Sequence, residues 1–451
     1  MSRFYTNLQK NIAIKYKNEF YREYFPKDFC FRNNSNLVKI TKYQEFITEY
    51  FRYNPQQRGL LVYHELGSGK TLTSIYWAIN MLYTHGKEYN HVFIISNRVL
   101  IKNFYNEVDK FYGNQKEFIS KIKSIDFDNY DGKINFENSL IIIDEIQILL
   151  TGLLDGDERK KNLFNDICLS KKIKILLLSA TPIYHSPFEL SPMLYLLSGE
   201  ALLPRNGKDF RLRYCNELEK NVFRYKEIAE LFDGYVSYYI GQTDDINVIA
   251  KVLPFEFIYL KSDYLRITEM LNIIGKTSGN VFIYTNNEEY ALLISKKLNA
   301  ESFLINKENA IEVLKIFNSD ENINGKISRF IICSKDVMLG ISIFNIRNII
   351  IMEPQLEYKE FQQILGRTLR LCSHKNLSEK ERNIKTFILA AGNDEYNRYL
   401  VSINFDILNT AFSCMLRDIA IDRFLYNIRP RRSIGESIIR YLDDKRHDAD
   451  I

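Results

Sequence analysis

No pair of cysteines in this chain stands at metal-ligand spacing. The six (Cys30, Cys168, Cys215, Cys333, Cys372, Cys414) are scattered over 451 residues, which reads as reduced thiols in a reducing compartment rather than a zinc site. The six histidines (His64, His85, His91, His185, His374, His447) hold no metal-ligand pair at helical spacing and no legible Ser-His-Asp arrangement. They are read as structural or surface residues, with His64 the one exception to weigh. No run of ~18 apolar residues occurs, so no membrane span is expected. Met1-Ser2-Arg3-Phe4-Tyr5 leads into polar sequence without the apolar core of a signal peptide. There is no low-complexity segment. The formal charge of +5 permits nucleic acid as a partner without demanding it.

What is present is a globular composition, 46% hydrophobic and 26% charged, long enough for two or three domains. The 30 Tyr and 30 Phe, with abundant Ile, Lys and Asn, fit the AT-rich coding of a viral or plasmid-like genome. The chain is organised around His64-Glu65-Leu66-Gly67-Ser68-Gly69-Lys70-Thr71. The apolar run Gly59 to Tyr63 before it reads as a buried strand. Leu72, Ile75, Tyr76, Ile79 and Leu82 after it recur at helical spacing. Glycines in a strand-to-helix turn can wrap a phosphate with backbone N–H groups, and the helix start adds a positive dipole end. Lys70 then reaches the β- and γ-phosphates and the Thr71 hydroxyl ligates magnesium. His64 stands where the usual pattern opens with Gly.

A helix from about Ile40 to Tyr53, ended by Pro55, precedes the loop. Strands follow at His91–Ser96, Ile122–Phe127, Leu140–Ile143 and Ile173–Leu178, with a helix at about Arg98–Phe111 and another ending at Cys168. This alternation marks an open parallel sheet, whose ligands bind beyond the carboxyl ends of its strands. The loop, Asp144-Glu145 and Ser179-Ala180-Thr181 all fall there. Asp144 is expected to hold magnesium and Glu145 to orient and deprotonate an attacking water. Residues 186–260 are less periodic and read as a helical subregion followed by a connection. A second set of strands then runs through Val281–Thr285, Ser302–Ile305, Phe330–Ser334, Ile349–Met352 and Thr386–Ala390. Helices are expected at about 287–298, 308–317 and 358–371. On the last, Gln363 precedes Gly366-Arg367-Thr368-Leu369-Arg370, read as a helix start that turns Arg367 and Arg370 the same way. Such a pair can supply charge where a γ-phosphate leaves. Gln44 carries an amide able to read an adenine edge. The polar, aromatic N-terminus shows helical spacing from Leu8 to Tyr24. The tail from about 400 looks helical and carries Arg429, Arg431 and Arg432.

In this order the motifs resemble superfamily 2 helicases and translocases. Lys70-Thr71 match the first motif, Asp144-Glu145 the second, Ser179-Ala180-Thr181 the third and Gln363 to Arg370 the sixth. Val281–Thr285 and Ser334–Ser342 fill the fourth and fifth places. A narrower likeness is to poxvirus nucleoside triphosphate phosphohydrolase I and the early transcription factor small subunit, with relatives in other cytoplasmic DNA viruses and on yeast linear plasmids. It rests on the 64–71 loop, on Gly234-Tyr235-Val236-Ser237-Tyr238-Tyr239, on Phe317-Asn318-Ser319 with Glu321-Asn322, and on Gln363 running into Cys372-Ser373-His374. Gln147 stands where this group often has His, and Met338-Leu339-Gly340-Ile341-Ser342 lacks its usual acidic residues. The chain is also shorter than the poxvirus proteins, so a C-terminal partner-binding region is expected to be reduced to residues 400–451 or absent.

The resemblance implies an α/β fold of two RecA-like parallel-sheet domains in tandem, facing each other across a cleft. The expected bounds are an N-terminal extension 1–39, an ATP-binding domain 40–240, a second domain 241–400 and a short helical tail 401–451. ATP and Mg2+ are the expected cofactors. Gln44, Glu65, Leu66, Gly67, Ser68, Gly69, Lys70, Thr71 and Gln363 are expected to bind nucleotide, and Thr71 and Asp144 the metal. Lys70, Glu145, Arg367 and Arg370 are the expected catalytic residues. The implied partners are single-stranded or duplex DNA or RNA, with an RNA polymerase or transcription factor subunit, in cytoplasm or virion. The competing reading is a promoter- or polymerase-binding subunit that keeps the fold and has lost the motor. Lys70, Asp144, Glu145, Arg367 and Arg370 speak against it. A single-domain kinase or GTPase does not account for the second α/β set.

Overall fold

The computed structural model describes residues 40–64, 68–86, 88–112, 116–132, 134–181, 183, 186–214, 224–239, 250–253, 255–306, 308–335, 341–355, 358–370 and 372–423. The expected helix at Leu8–Tyr24, the arginines of the tail, and Glu65, Leu66, Gly67 and Met338 to Gly340 lie outside them. So does the polar break from Gly241 to Asp245.

The chain divides into two units. The first is built from α1 (Lys42–Tyr53), β1 (Gly59–His64), α2 (Lys70–His85), β2 (His91–Ser96), α3 (Arg98–Tyr112), α4 (Lys116–Lys121), β3 (Ile122–Asp126) and β4 (Ser139–Asp144). It continues with α5 (Gln147–Leu154), α6 (Glu158–Leu169), β5 (Lys174–Ser179), α7 (Leu190–Ser198), α8 (Gly207–Tyr214), α9 (Tyr225–Phe232) and β6 (Val236–Tyr239). All its strands are parallel, in the order β3-β2-β4-β5-β1-β6.

The strands are apolar runs because both faces of the sheet are covered. Leu61, Ile141, Ile143, Ile175 and Leu177 enter one core, while Leu60, Val62, Leu140, Ile142, Leu176 and Leu178 enter the other. Strand β1 begins with a glycine for a steric reason: a Cβ on Gly59 would lie 2.9 Å from the Leu197 backbone. Arg58, just before it, donates to the carbonyls of Ile167 and Ser170 at the end of α6 and of Leu196 in α7, which fixes where the strand starts.

The second unit comprises β7 (Lys251–Val252), β8 (Glu256–Leu260), α10 (Leu265–Lys276), β9 (Asn280–Thr285), α11 (Glu288–Leu298), β10 (Ser302–Ile305), α12 (Ala310–Phe317), β11 (Phe330–Ser334), β12 (Ile346–Ile351), α13 (Tyr358–Gly366) and β13 (Asn383–Ala391). This sheet is parallel too, in the order β10-β11-β9-β12-β13. Its last edge is a broken strand: β7 pairs with Asn383–Ile384 and β8 with Phe387–Ala391. The fully buried Arg266 closes one side, bonding Asp263 at 2.7 Å, Glu395 at 2.8 Å and the carbonyls of Met352 and Leu389. The closing helix α14 (Gly392–Ile419) starts in the second unit and ends in the first, where Leu416 and Ile421 join the cores.

The fold class is as expected, two parallel-sheet α/β units. Three readings need correction. Residues 186–260 are not a helical subregion with a plain connection, because Val236–Tyr239 is a fully buried strand beside β1 and Glu256–Leu260 a strand beside β13. The helix expected over 358–371 stops at Gly366, so Arg367 and Arg370 follow a helix end rather than start one. Beyond Gly366 the carbonyls serve other partners: Arg367 O accepts from Ile343 N–H and Thr368 O from the Ser373 hydroxyl. Cys372 is disulfide-bonded rather than reduced, a pairing that sequence spacing does not encode, while Cys168 and Cys333 are free.

Candidate nucleotide site

Register places the first three motifs at one sheet edge. Tyr63 pairs with Ser179, His64 with Tyr239, and Asp144 with Leu178, so the carboxyl ends of β1, β4, β5 and β6 coincide. Gly69 caps α2 at φ 80°, a left-handed backbone that suits glycine. A Cβ there would also sit 2.8 Å from Gln44 Nε2. Lys70 Nζ donates to His64 O at 2.9 Å and so spans the loop. Gln44 is buried with its amide engaged: Oε1 accepts from Thr41 N–H at 3.0 Å, and Nε2 donates to Gly69 O at 3.3 Å. Its neighbour Tyr43 donates its hydroxyl to Ser68 O and stacks on Tyr239 at 3.9 Å. Helix α1 therefore braces the loop through both residues.

Asp144 and Glu145 end β4. Glu145 has φ 56°, an uncommon backbone for a residue with a β-carbon. The turn directs its N–H onto Asp144 Oδ1 at 3.1 Å. Burial first, and the Glu145 charge second, push the Asp144 carboxyl upward against the pull of Lys70. An under-compensated carboxylate of this kind suits a hard cation. Thr71 adds a hydroxyl, and Mg2+ needs only one or two protein oxygens besides water and phosphate. The Gln147 amide then does two things at once. It donates to Glu145 Oε2 at 2.6 Å and accepts from Ser179 Oγ at 2.9 Å, while Thr181 N–H donates to the same Oγ at 2.9 Å. The second and third motifs thus form one hydrogen-bonded line, and Gln147, which departs from the family pattern, is its centre.

In the second unit Arg367 is buried and Arg370 donates to Ile341 O at 3.1 Å. Gln363 lies on α13, one turn before its end. Asn318 clasps the described end of the fifth motif, donating to Ser342 O at 2.9 Å and accepting from Phe344 N–H at 2.8 Å. Asn322 accepts from Ile327 and Ser328 N–H groups. His374, buried, bonds Ile346 O at 2.7 Å. Since a carbonyl only accepts, Nε2 carries the proton.

Burial pulls His374 down to about 4, with Arg347 and Arg382 adding to the shift and the Ile346 bond opposing it. An unfolded histidine takes its proton near 6.5, so the unfolded state gains protons first as pH falls. The stability held above about pH 6.5 is therefore lost as pH drops toward about 4. In urea denaturation, wild type should lose about 2 kcal/mol relative to His374→Asn between about pH 7.5 and about pH 5. A pH-independent difference would contradict this.

Of the site residues expected from the sequence, Gln44, Ser68, Gly69 and Lys70 come together, as do Asp144, Glu145, Gln147, Ser179 and Thr181. Tyr43, Ser237, Tyr239 and Asp422 belong to the site as well and escape a reading of the sequence. Ser237 and Tyr239 stand within the Gly234 to Tyr239 likeness but without a role there; nothing in the sequence marks Asp422.

Two parallel α/β units in tandem, with these motifs in order, define the class. The family model of the type III restriction enzyme res subunit matches residues 37–169, and the helicase conserved C-terminal domain matches residues 265–372. The chain belongs to helicase superfamily 2 and is an ATP-dependent nucleic-acid enzyme of that class. More particularly, it is of the viral and plasmid type. It is similar to a protein of Acanthamoeba polyphaga mimivirus named as a putative ATP-dependent RNA helicase, at 24% identity over 81% of this chain and 84% of that protein. It is similar to the termination factor NPH-I homolog of African swine fever virus, at 27% identity over 49% of this chain and 34% of that protein. It also resembles a killer-plasmid helicase of Kluyveromyces lactis, at 25% identity over 78% of this chain and 64% of that protein. The chain spans about a third of the length of the swine fever virus relative.

Proposed function

We propose that the chain hydrolyses ATP with Mg2+ to move along nucleic acid during transcription in a cytoplasmic DNA virus or plasmid-like element. The observation that carries this is the line from Glu145 through Gln147 to Ser179 and Thr181, beside the Lys70 loop on one sheet edge. Thr71 and Asp144 would hold the metal, which screens the phosphate charge when bound. Lys70 exchanges its His64 carbonyl for the β- and γ-phosphates. Glu145 orients the attacking water and takes its proton. Arg367 and Arg370 supply charge to the departing γ-phosphate. Gln44, Gln363 and the loop residues Glu65 to Gly69 position the nucleotide.

Because Gln147 links Glu145 to Ser179 and Thr181, a shift in that turn reaches the water-activating carboxylate. A strand gripped mainly by its phosphates is the partner such a device needs. The transcription role is supported by the name of the swine fever virus relative, a termination factor homolog. A polymerase or transcription factor subunit is the protein partner this role requires, in cytoplasm or virion. Among the described residues no helix is long and apolar enough to cross a membrane.

The test is displacement of streptavidin from an end-biotinylated strand, with single-stranded DNA and RNA run separately, and strand displacement on a tailed duplex. ATP-dependent displacement that a non-hydrolysable analogue does not support is expected. Displacement equal with and without ATP would contradict translocation.

A further inference from the structure

The end of the chain reaches back to the nucleotide loop through a buried carboxylate. After α14, Ile421 N–H donates to Val236 O at 2.8 Å, and Arg423 pairs with Asp233 at 3.6 Å, clipping residues 415–423 onto β6. Asp422 is 1% exposed. Its Oδ1 accepts from Tyr238 N–H at 3.0 Å and its Oδ2 from the Ser237 hydroxyl at 2.6 Å. Ser237 Oγ lies 2.8 Å from His64 Nε2, and His64 is fully buried.

Proton counting then fixes the direction of the line. A carboxylate only accepts, so the single Ser237 proton points to Asp422, and Ser237 can only accept from the imidazole. His64 therefore carries its proton on Nε2. Its Nδ1 is a buried acceptor with no partner among the described residues. Burial, and Lys70 after it, keep the ring well below its usual pKa and hence neutral. Burial pushes Asp422 up to about 7 against its two hydrogen bonds, which marks the energetic cost of placing a carboxylate there.

The position this line holds is the first residue of the loop. The His64 carbonyl is the acceptor that Lys70 occupies. The His64 ring also meets Tyr43 edge-on at 5.8 Å, and Tyr43 holds Ser68 O. Both ends of the loop are thus anchored in one buried cluster whose fixed charge is Asp422. A histidine where the usual pattern has Gly is accounted for by this arrangement: the imidazole is a tether.

We infer that Asp422 is a positioning residue for the nucleotide loop, acting through Ser237 on the tautomer and placement of His64. This rests on the ATPase reading above. The structure gives the last described segment of the chain, supplied by a helix that begins in the second unit, a hold on the nucleotide loop of the first.

Three proteins test it beside wild type: Asp422→Asn, Ser237→Ala and the double variant. The Asn amide would donate to Ser237, turn its proton toward His64 and move the imidazole proton to Nδ1. In protein labelled with 15N-histidine, with His64 assigned against His64→Gln, the Nε2–H pattern of wild type should become Nδ1–H in Asp422→Asn. The KM for ATP should rise about tenfold, the worth of one charge-assisted hydrogen bond, with kcat changed by less than about twofold. Ser237→Ala should raise KM equally, and the double variant should be no worse than either single one, as members of one line behave. If Asp422→Asn does not fold, Ser237→Ala decides, because it keeps the carboxylate. An unchanged tautomer in Asp422→Asn, or unchanged KM in Ser237→Ala, overturns the inference. A wild type that hydrolyses no ATP would instead overturn the ATPase reading, and the tautomer would still decide this one.

Discussion

Replacing Lys70 by alanine should lower kcat for ATP hydrolysis by about 10³-fold, the effect of removing a preorganised cation from developing phosphate charge. The fold should survive. Lys70 is half-buried and its described hydrogen bond is to one backbone carbonyl, that of His64, which closes the loop on itself. Lys70→Arg should not rescue, because a planar fork cannot replace a point ammonium in a loop this tight. The assay is phosphate release at saturating ATP, with thermal melting as the control for folding. Hydrolysis within about threefold of wild type would remove Lys70 from the chemistry.

Glu145→Gln should cost about 10³-fold in kcat and leave ATP binding nearly intact, the range expected when a general base is lost. The amide is isosteric and its oxygen can still accept from Gln147 Nε2, so the line to Ser179 persists without the base. Glu145→Gly separates strain from chemistry. At φ 56° a residue with a β-carbon is held at a cost of about 1 kcal/mol that glycine avoids. The glycine variant should therefore be as stable as wild type or more so, and just as inactive as the glutamine variant. An active glycine variant would show that the turn, not the carboxylate, is what the site needs. Nucleotide binding by equilibrium titration and single-turnover hydrolysis distinguish these cases.

The sheets are legible in the sequence because a strand covered on both faces is apolar at every position. For His91–Ser96, Ser302–Ile305 and Phe330–Ser334 the expected bounds and those of the structure coincide. Strand β6 is not legible, because Ser237, Tyr238 and Tyr239 carry polar atoms. Their burial is accounted for by Asp422 and His64, which the sequence does not place nearby. The helix end at Gly366 is hidden for a similar reason. Arg367, Thr368 and Leu369 are ordinary helix residues, and only the distant Ile343 and Ser373 divert their backbone.

The loop and the carboxylate pair are legible as local motifs. What joins them is not. Gln147 looks like a departure from a pattern, and its two hydrogen bonds exist only once β4 and β5 lie side by side. Asp422 stands 185 residues from Ser237, and no local signal distinguishes it from a solvated aspartate.

The central claim is tested by whether purified protein releases phosphate from ATP and Mg2+, measured alone and with single-stranded DNA, duplex DNA or RNA. Hydrolysis stimulated at least about tenfold by one of these is the expected result, and the stimulating species names the track. No hydrolysis with any of them at saturating ATP would contradict the claim and make the chain a binding subunit that kept the fold and lost the motor.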